Sequence, residues 1–218
     1  MIIAIDGPAA SGKSTTAKLV AKKLKMTYLD TGAMYRAVTL ALLRSNTNLD
    51  DYDSICQVVS ELELDIYDQG TKTVVRLDGE DVSQAIRSML VTENVSAVSA
   101  VKYVREAMVE IQRNIGKKTN CVVEGRDIGT VVFPDAEFKI FMVADDKMRA
   151  ERRLKELHLM GENRSLQEVM TNLKKRDEKD STRSHSPLLK ADEAIEIDTS
   201  MLSIDQQVEK IINLVRKK

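Results

Sequence analysis

The chain reads as an α/β protein built on a parallel sheet, and three observations carry that reading. Five short apolar runs, at 2–6, 27–30, 120–124, 137–143 and 194–198, each suit one buried strand. At least one stretch of helical periodicity separates each run from the next, which is the spacing of crossover units. The first run leads into Gly7-Pro8-Ala9-Ala10-Ser11-Gly12-Lys13-Ser14-Thr15, and Ala17-Lys18-Leu19-Val20 continues behind it at helical spacing. A G-x-x-x-x-G-K-[ST] segment between a strand and a helix is a phosphate-binding loop, or P-loop.

That loop carries the most chemistry in the chain. Gly7 and Gly12 permit positive φ and close backbone approach, so successive N–H groups can point at one anion. The helix N-terminus behind them adds about half a positive charge at the same spot. Residues 7–15 are therefore expected to bind a nucleoside triphosphate, with Lys13 reaching its β- and γ-phosphates and Ser14 ligating Mg²⁺. A plain glycine-rich turn would need neither the lysine nor the hydroxyl.

Helical periodicity continues at about 33–45, 100–116, 146–160, 166–180 and 203–216. Between 61 and 87 the signal changes. Glu63-Leu64-Asp65-Ile66-Tyr67 and Thr73-Val74-Val75-Arg76-Leu77 flank Asp68-Gln69-Gly70, and Asp78-Gly79 follows. Alternating apolar residues around Asp/Gly turns predict a small antiparallel insertion on the core.

Composition narrows the function. A length of 218 residues suits one domain with small insertions. A formal net charge of −1 offers no field favouring nucleic acid or an anionic membrane. With 3 Phe and no Trp, few aromatic platforms exist for stacking a single strand. No signal peptide is visible and no apolar run approaches the ~20 residues of a membrane span. Cys56 and Cys121 form no metal pattern, so the reading is a cytoplasmic protein, with Cys121 a small buried hydrophobe in a strand.

A P-loop alone does not separate a switch, a motor and a small-molecule kinase. A guanine-reading Asn-Lys-x-Asp loop is absent, as is an apolar strand ending in Asp-Glu. Arginines at turns stand out instead. Leu29-Asp30-Thr31-Gly32-Ala33-Met34-Tyr35-Arg36 ends a strand and opens a helix, so Thr31 and nearby amides form a second potential anion site with Arg36 close by. Val122-Val123-Glu124-Gly125-Arg126-Asp127-Ile128-Gly129-Thr130 delivers an Arg-Asp pair to the carboxyl edge of a sheet, where open α/β folds bind ligands. Arg176, Asp180 and Arg183 fall four and three apart, on one helix face. Arg149, Arg152, Arg153 and Arg164, around Gly161, suit either a phosphate-clamping lid or a charged helix surface.

Taken in order, GPAASGKST (7–15), LDTGAMYR (29–36), LDGEDVSQAIR (77–87), VREAM (104–108), EGRDIGTVVFPDA (124–136) and KKRDEKDSTR (174–183) closely resemble the bacterial cytidylate kinases, essentially end to end. The resemblance implies the nucleoside monophosphate kinase fold: a five-stranded parallel core (about 1–30, 119–147 and 185–218), an acceptor-binding region (31–118) and a helical lid (148–184). It implies MgATP as donor, CMP or dCMP as acceptor, and Mg²⁺ as cofactor. It also implies that Ser96, Arg105 and Asp127 read the cytosine edge, and that Arg36, Arg126 and Arg176 hold the acceptor phosphate. Asp180 and Arg183 match positions touching sugar and phosphates, and Thr31 stands where some relatives carry serine. Cytosine offers an amino donor beside ring acceptors, so an acid and a cation together suit it. Lys13, Arg126, Arg176 and Arg183 form the expected catalytic set, with no general base because the attacking oxygen is already charged. The expected partners are these small nucleotides alone, and a monomer is the simplest assembly. The rivals are another P-loop kinase, acting on UMP, AMP or a metabolite, and a slow nucleotide-dependent regulator.

Overall fold

A computed structural model describes residues 1–68 and 73–217. Five parallel strands form its centre: β1 (Ile2–Asp6), β2 (Thr27–Asp30), β6 (Cys121–Gly125), β7 (Phe138–Val143) and β8 (Ile195–Asp198), in the order β2-β6-β1-β7-β8. Three further strands, β3 (Leu64–Asp68), β4 (Thr73–Leu77) and β5 (Glu80–Asp81), make a separate antiparallel sheet. This is the α/β architecture that the alternation of strand and helix predicts, with the antiparallel insertion where the pattern changes. The turn expected at Gln69-Gly70 lies outside the described residues.

β1 is the middle strand, and Ile3, Ala4 and Ile5 are fully buried because both faces of the sheet are covered. One face packs against α2 (Thr31–Arg44), α3 (Tyr52–Glu61), α4 (Met89–Val98) and α5 (Lys102–Gly116) through Leu29, Met34, Val38, Ile55, Val98, Met108 and Val123. The other packs against α1 (Lys13–Leu24) and α8 (Ile204–Arg216) through Ile3, Ile5, Val20, Met142 and Ile211. The helices α6 (Asp146–Leu159) and α7 (Leu166–Thr182) form a pair of their own, sharing Ala150, Leu157, Val169 and Leu173 with Ala9.

Register places the chemistry. Ile5 pairs with Glu124, Asp6 with Gly125, and Asp30 with Glu124. The carboxyl ends of β1, β2 and β6 therefore stop level, and the residues leaving them share one edge.

Two elements depart from the periodicity reading. α3 and α4 are helices where no helix is predicted. α3 buries only Ile55 and Val59, too sparse a stripe to stand out beside the Asn- and Asp-rich stretch before it. α4 is rich in β-branched residues, and only its Ser88 cap, which accepts from the Val91 amide, marks its start. α2 begins two residues earlier than the pattern indicates, at Thr31. Its cap is Asp30, whose carboxylate accepts from the Ala33 amide at 2.9 Å.

Candidate active site

The P-loop crosses the edge of the sheet above β1. Ala10 and Gly12 both take positive φ, 59° and 93°. Gly12 offers no side chain to cap α1, so the helix meets its ligand with open first-turn amides. Lys13 is buried, and its Nζ donates to Pro8 O at 2.6 Å and to Ser11 Oγ at 3.3 Å. Burial lowers its pKa to about 7; the nearby Arg126 and Arg176 add to the shift, while Glu124 and Asp6 oppose it. The back of the loop is buttressed by Thr199 Oγ1, which donates to Ser11 O at 2.8 Å, and by Thr16 Oγ1, which donates to Gln207 Oε1 at 2.7 Å.

Beside the loop lies a cavity lined by Thr31, Ser96, Arg105, Arg126, Asp127, Arg176, Asp180 and Arg183. Eight of the nine residues expected at the acceptor thus meet in one place, although five separate segments contribute them: α2, α4, α5, the loop after β6, and α7 with its C-terminal end. Arg105 and Asp127 form a buried ion pair, and Arg105 also donates to Ser99 O at 3.0 Å. The Arg105 guanidinium lies 5.1 Å from the Tyr35 ring centre, a cation–π contact that fixes its plane. Arg183 Nη2 stands 3.8 Å from the other oxygen of Asp127.

On the far wall Arg126 Nε donates to Asp180 Oδ2 at 3.0 Å. Burial pushes Asp180 up, but Arg126, Arg176 and Arg183 outweigh it and hold the carboxyl below the usual range. Arg176 shows the opposite stress: burial, then the adjacent Arg126, lower it to about 10, and its Nε has no hydrogen-bond partner. Three arginines thus crowd around the single carboxylate of Asp180, which leaves this wall with an excess of positive charge. The shared face of Arg176, Asp180 and Arg183 is therefore not a solvated one, since Asp180 is buried and all three side chains line the cavity.

Two expected residues differ in detail. Arg36 stands outside the cavity lining; its Nη1 donates to Thr92 Oγ1 at 2.9 Å and to Ile86 O at 3.3 Å. Burial, then Arg176, lower its pKa to about 9. Thr31 does line the cavity, but its hydroxyl donates to Glu124 O at 2.7 Å, so toward a ligand it can only accept.

The arginines around Gly161 divide. Arg152 donates to Thr199 O at 2.6 Å, and Arg149 to Ala9 O at 3.1 Å. Both are therefore committed to the protein itself. Arg153 and Arg164 instead line a second cavity between α4 and α7 that shares Arg176 with the first.

Glu124 is the residue that sequence reasoning passed over. It is buried, accepts from Tyr28 Oη at 2.5 Å, and is hydrogen-bonded to Ser14. Burial, then the nearby Asp30, raise its pKa. The available signal was an acid closing the strand next to β1. Ser14, Glu124 and Asp30 offer a hydroxyl and two carboxylates, a hard oxygen set that fits Mg²⁺. Among the described residues no cluster of three or more His, Cys, Asp and Glu exists to hold a metal. That suits a cation shared with ligand phosphates and water rather than an all-protein cage.

The family model for cytidylate kinase matches residues 3–217. The cytidylate kinase of Fusobacterium nucleatum is 50% identical over 218 residues, covering 100% of this chain and 96% of that one. That of Carboxydothermus hydrogenoformans is 48% identical over 220 residues, covering 100% and 98%, and that of Clostridioides difficile 45% over 215 residues, covering 99% and 98%. Among solved structures, a protein of Eubacterium ventriosum superposes with a TM-score of 0.54 at 13% identity over 100% of this chain and 99% of its own. A Thermus thermophilus protein gives 0.52 at 16% over 100% and 96%. These two share the fold. With sequence identity of this order over the full length, beside a P-loop and a cation-walled cavity, the chain belongs to the cytidylate kinase family.

Proposed function

We propose that the protein transfers the γ-phosphoryl group of MgATP to CMP or dCMP, giving ADP and CDP or dCDP. The observation that carries this reading is the sharing of cations: Arg126 and Arg176 line the acceptor cavity and are also electrostatic neighbours of Lys13 in the P-loop. Two nucleotides held at the two sites would bring their phosphates against one set of positive groups.

Electrostatics is the central problem of such a reaction. At 4 Å each pair of unit negative charges costs about 4 kcal/mol at an effective dielectric of 20. Lys13, Arg126, Arg176 and Arg183 offset that repulsion and hold an acceptor oxygen in line with the γ-phosphorus. Ser14, beside Glu124 and Asp30, would hold a Mg²⁺ ion, which would supply charge neutralisation at the donor phosphates. No side chain is assigned as a base, because a phosphate acceptor already carries its charge. For Arg36 to reach the acceptor phosphate it would exchange its bond to Thr92 for one to the ligand.

At the other end of the cavity, Ser96 and the Arg105–Asp127 pair suit cytosine, whose amino group donates and whose ring nitrogen and carbonyl accept. Asp127→Ala should raise KM for CMP by one to two orders of magnitude and move KM for ATP less than threefold. Steady-state kinetics with each substrate varied reads this directly, and equal losses for both would remove Asp127 from base reading.

A further inference from the structure

We infer that Arg149 and Asp177 are positioning residues, a brace that sets the catalytic Arg176 against the P-loop. The inference rests on the phosphoryl-transfer reading of the site. It concerns two side chains outside the acceptor cavity, one of which, Arg149, the phosphate-clamping lid reading would instead place on phosphate.

The geometry is a closed ring of three segments. The Ala9 amide donates to Asp177 Oδ1 at 3.3 Å, and the Ala9 carbonyl accepts from Arg149 Nη1 at 3.1 Å. Arg149 Nη1 also donates to Asp177 Oδ2 at 2.5 Å, while Nη2 donates to Asp146 Oδ1 at 2.5 Å. One residue of the P-loop, Ala9, is thus gripped at its amide by α7 and at its carbonyl by α6. The Ala9 methyl belongs to the same apolar cluster as Ala150, Leu157, Val169 and Leu173, so packing reinforces the polar grip. Arg149 is 6% exposed, which shields the ion pair from water and salt.

Both terminal nitrogens of Arg149 already serve protein oxygens, and its one donor without a partner, Nε, is buried. Asp177 adjoins Arg176 on one continuous helix, so the two side chains leave the same turn in different directions. Asp177 grips the P-loop while Arg176 lines the acceptor cavity. A helix of 17 residues is stiff over a single turn, so fixing one residue fixes the other. The brace therefore sets the distance between the loop that holds the donor and a cation that holds the acceptor. A misplacement of ~1 Å at such a site costs on the order of 100-fold in rate.

The test compares wild type with Asp177→Asn, Arg149→Lys and the double variant, in steady-state assays with ATP and CMP each varied. Both singles should lower kcat about 10- to 100-fold while both KM values stay within about threefold, and the double should lose no more than the worse single. Intact kcat, a tenfold rise in KM for ATP with kcat retained, or losses that multiply in the double would each overturn the brace. Hydrogen exchange on the same proteins reads it without turnover. Each substitution should speed exchange of the P-loop peptide containing Ala9 by tenfold or more, and unchanged protection would overturn the brace. Wild-type protein that makes no CDP would overturn the phosphoryl-transfer reading, and the exchange result would still decide the brace.

Discussion

Asp6 shows how one buried carboxylate ties the two halves of the site together. It is the last residue of β1, directly before Gly7, and its two oxygens accept from the Ile128 and Gly129 amides at 2.9 and 2.8 Å. The loop that presents Asp127 is thereby bonded to the root of the P-loop. Burial pushes Asp6 up to about 6 against the pull of those two amides. An acid whose folded value lies above its unfolded value binds more protons when folded. Its contribution to stability is therefore full below about pH 4 and is lost as the pH rises through about 6. The stability of wild type relative to Asp6→Asn should decline across that window by on the order of 1 kcal/mol per pH unit, as read by urea denaturation at pH 4 to 7. A gap that stays flat with pH would show that Asp6 does not carry this proton. Lys13→Ala should cut turnover by several orders of magnitude with an unchanged thermal melt, and near-normal activity would remove it from the phosphates. At this scale the sequence announces residues that sit inside a spaced motif, such as Lys13, Arg126 and Asp127. It hides those whose role depends on register, such as Asp6 and Glu124, since a lone acid ending an apolar run looks like any strand terminus.

At the scale of elements, the strands are legible because burial on both faces leaves almost continuous apolar runs. Each expected strand lies within one residue of the observed one. Helices with a thin buried stripe or β-branched composition are not, which is why α3 and α4 emerge only from packing. Two local devices make separate claims. Gly7 takes φ 144°, and a Cβ built there would lie 2.1 Å from the Met142 carbonyl of β7. Gly7→Ala is expected to force the P-loop off the sheet and to lower Tm by 10 °C or more; a melt within a few degrees of wild type would refute this close approach. The start of α7 carries a reciprocal capping box, Ser165 with Glu168. Ser165→Ala should cost about 1 kcal/mol by denaturant titration and leave kcat untouched, because the cap lies about three helical turns from Arg176. A fall in kcat without loss of stability would contradict that separation.

For the whole molecule, a net charge of −1 conceals a sharp internal division. Cations gather where β1, β2 and β6 end level, some braced by a buried acid, some bonded to neutral oxygens and one left short of a partner. Arg105 with Asp127 and Arg126 with Asp180 are braced; Arg176, with its unpartnered Nε, is not. Among the described residues no helix is long and apolar enough to cross a membrane. The fold places the P-loop and the acceptor cavity side by side, and crossover connections bring residues more than a hundred positions apart onto one edge. That convergence is not visible in any single segment, and only the ordered set of motifs makes it readable from the sequence. The most direct measurement is the initial rate of ADP formation from ATP and Mg²⁺ with CMP, dCMP, UMP or AMP as acceptor, with products identified. CDP or dCDP forming at least tenfold faster than ADP forms with AMP is the predicted result. ATP consumed without CDP, or equal rates with every acceptor, would contradict the account.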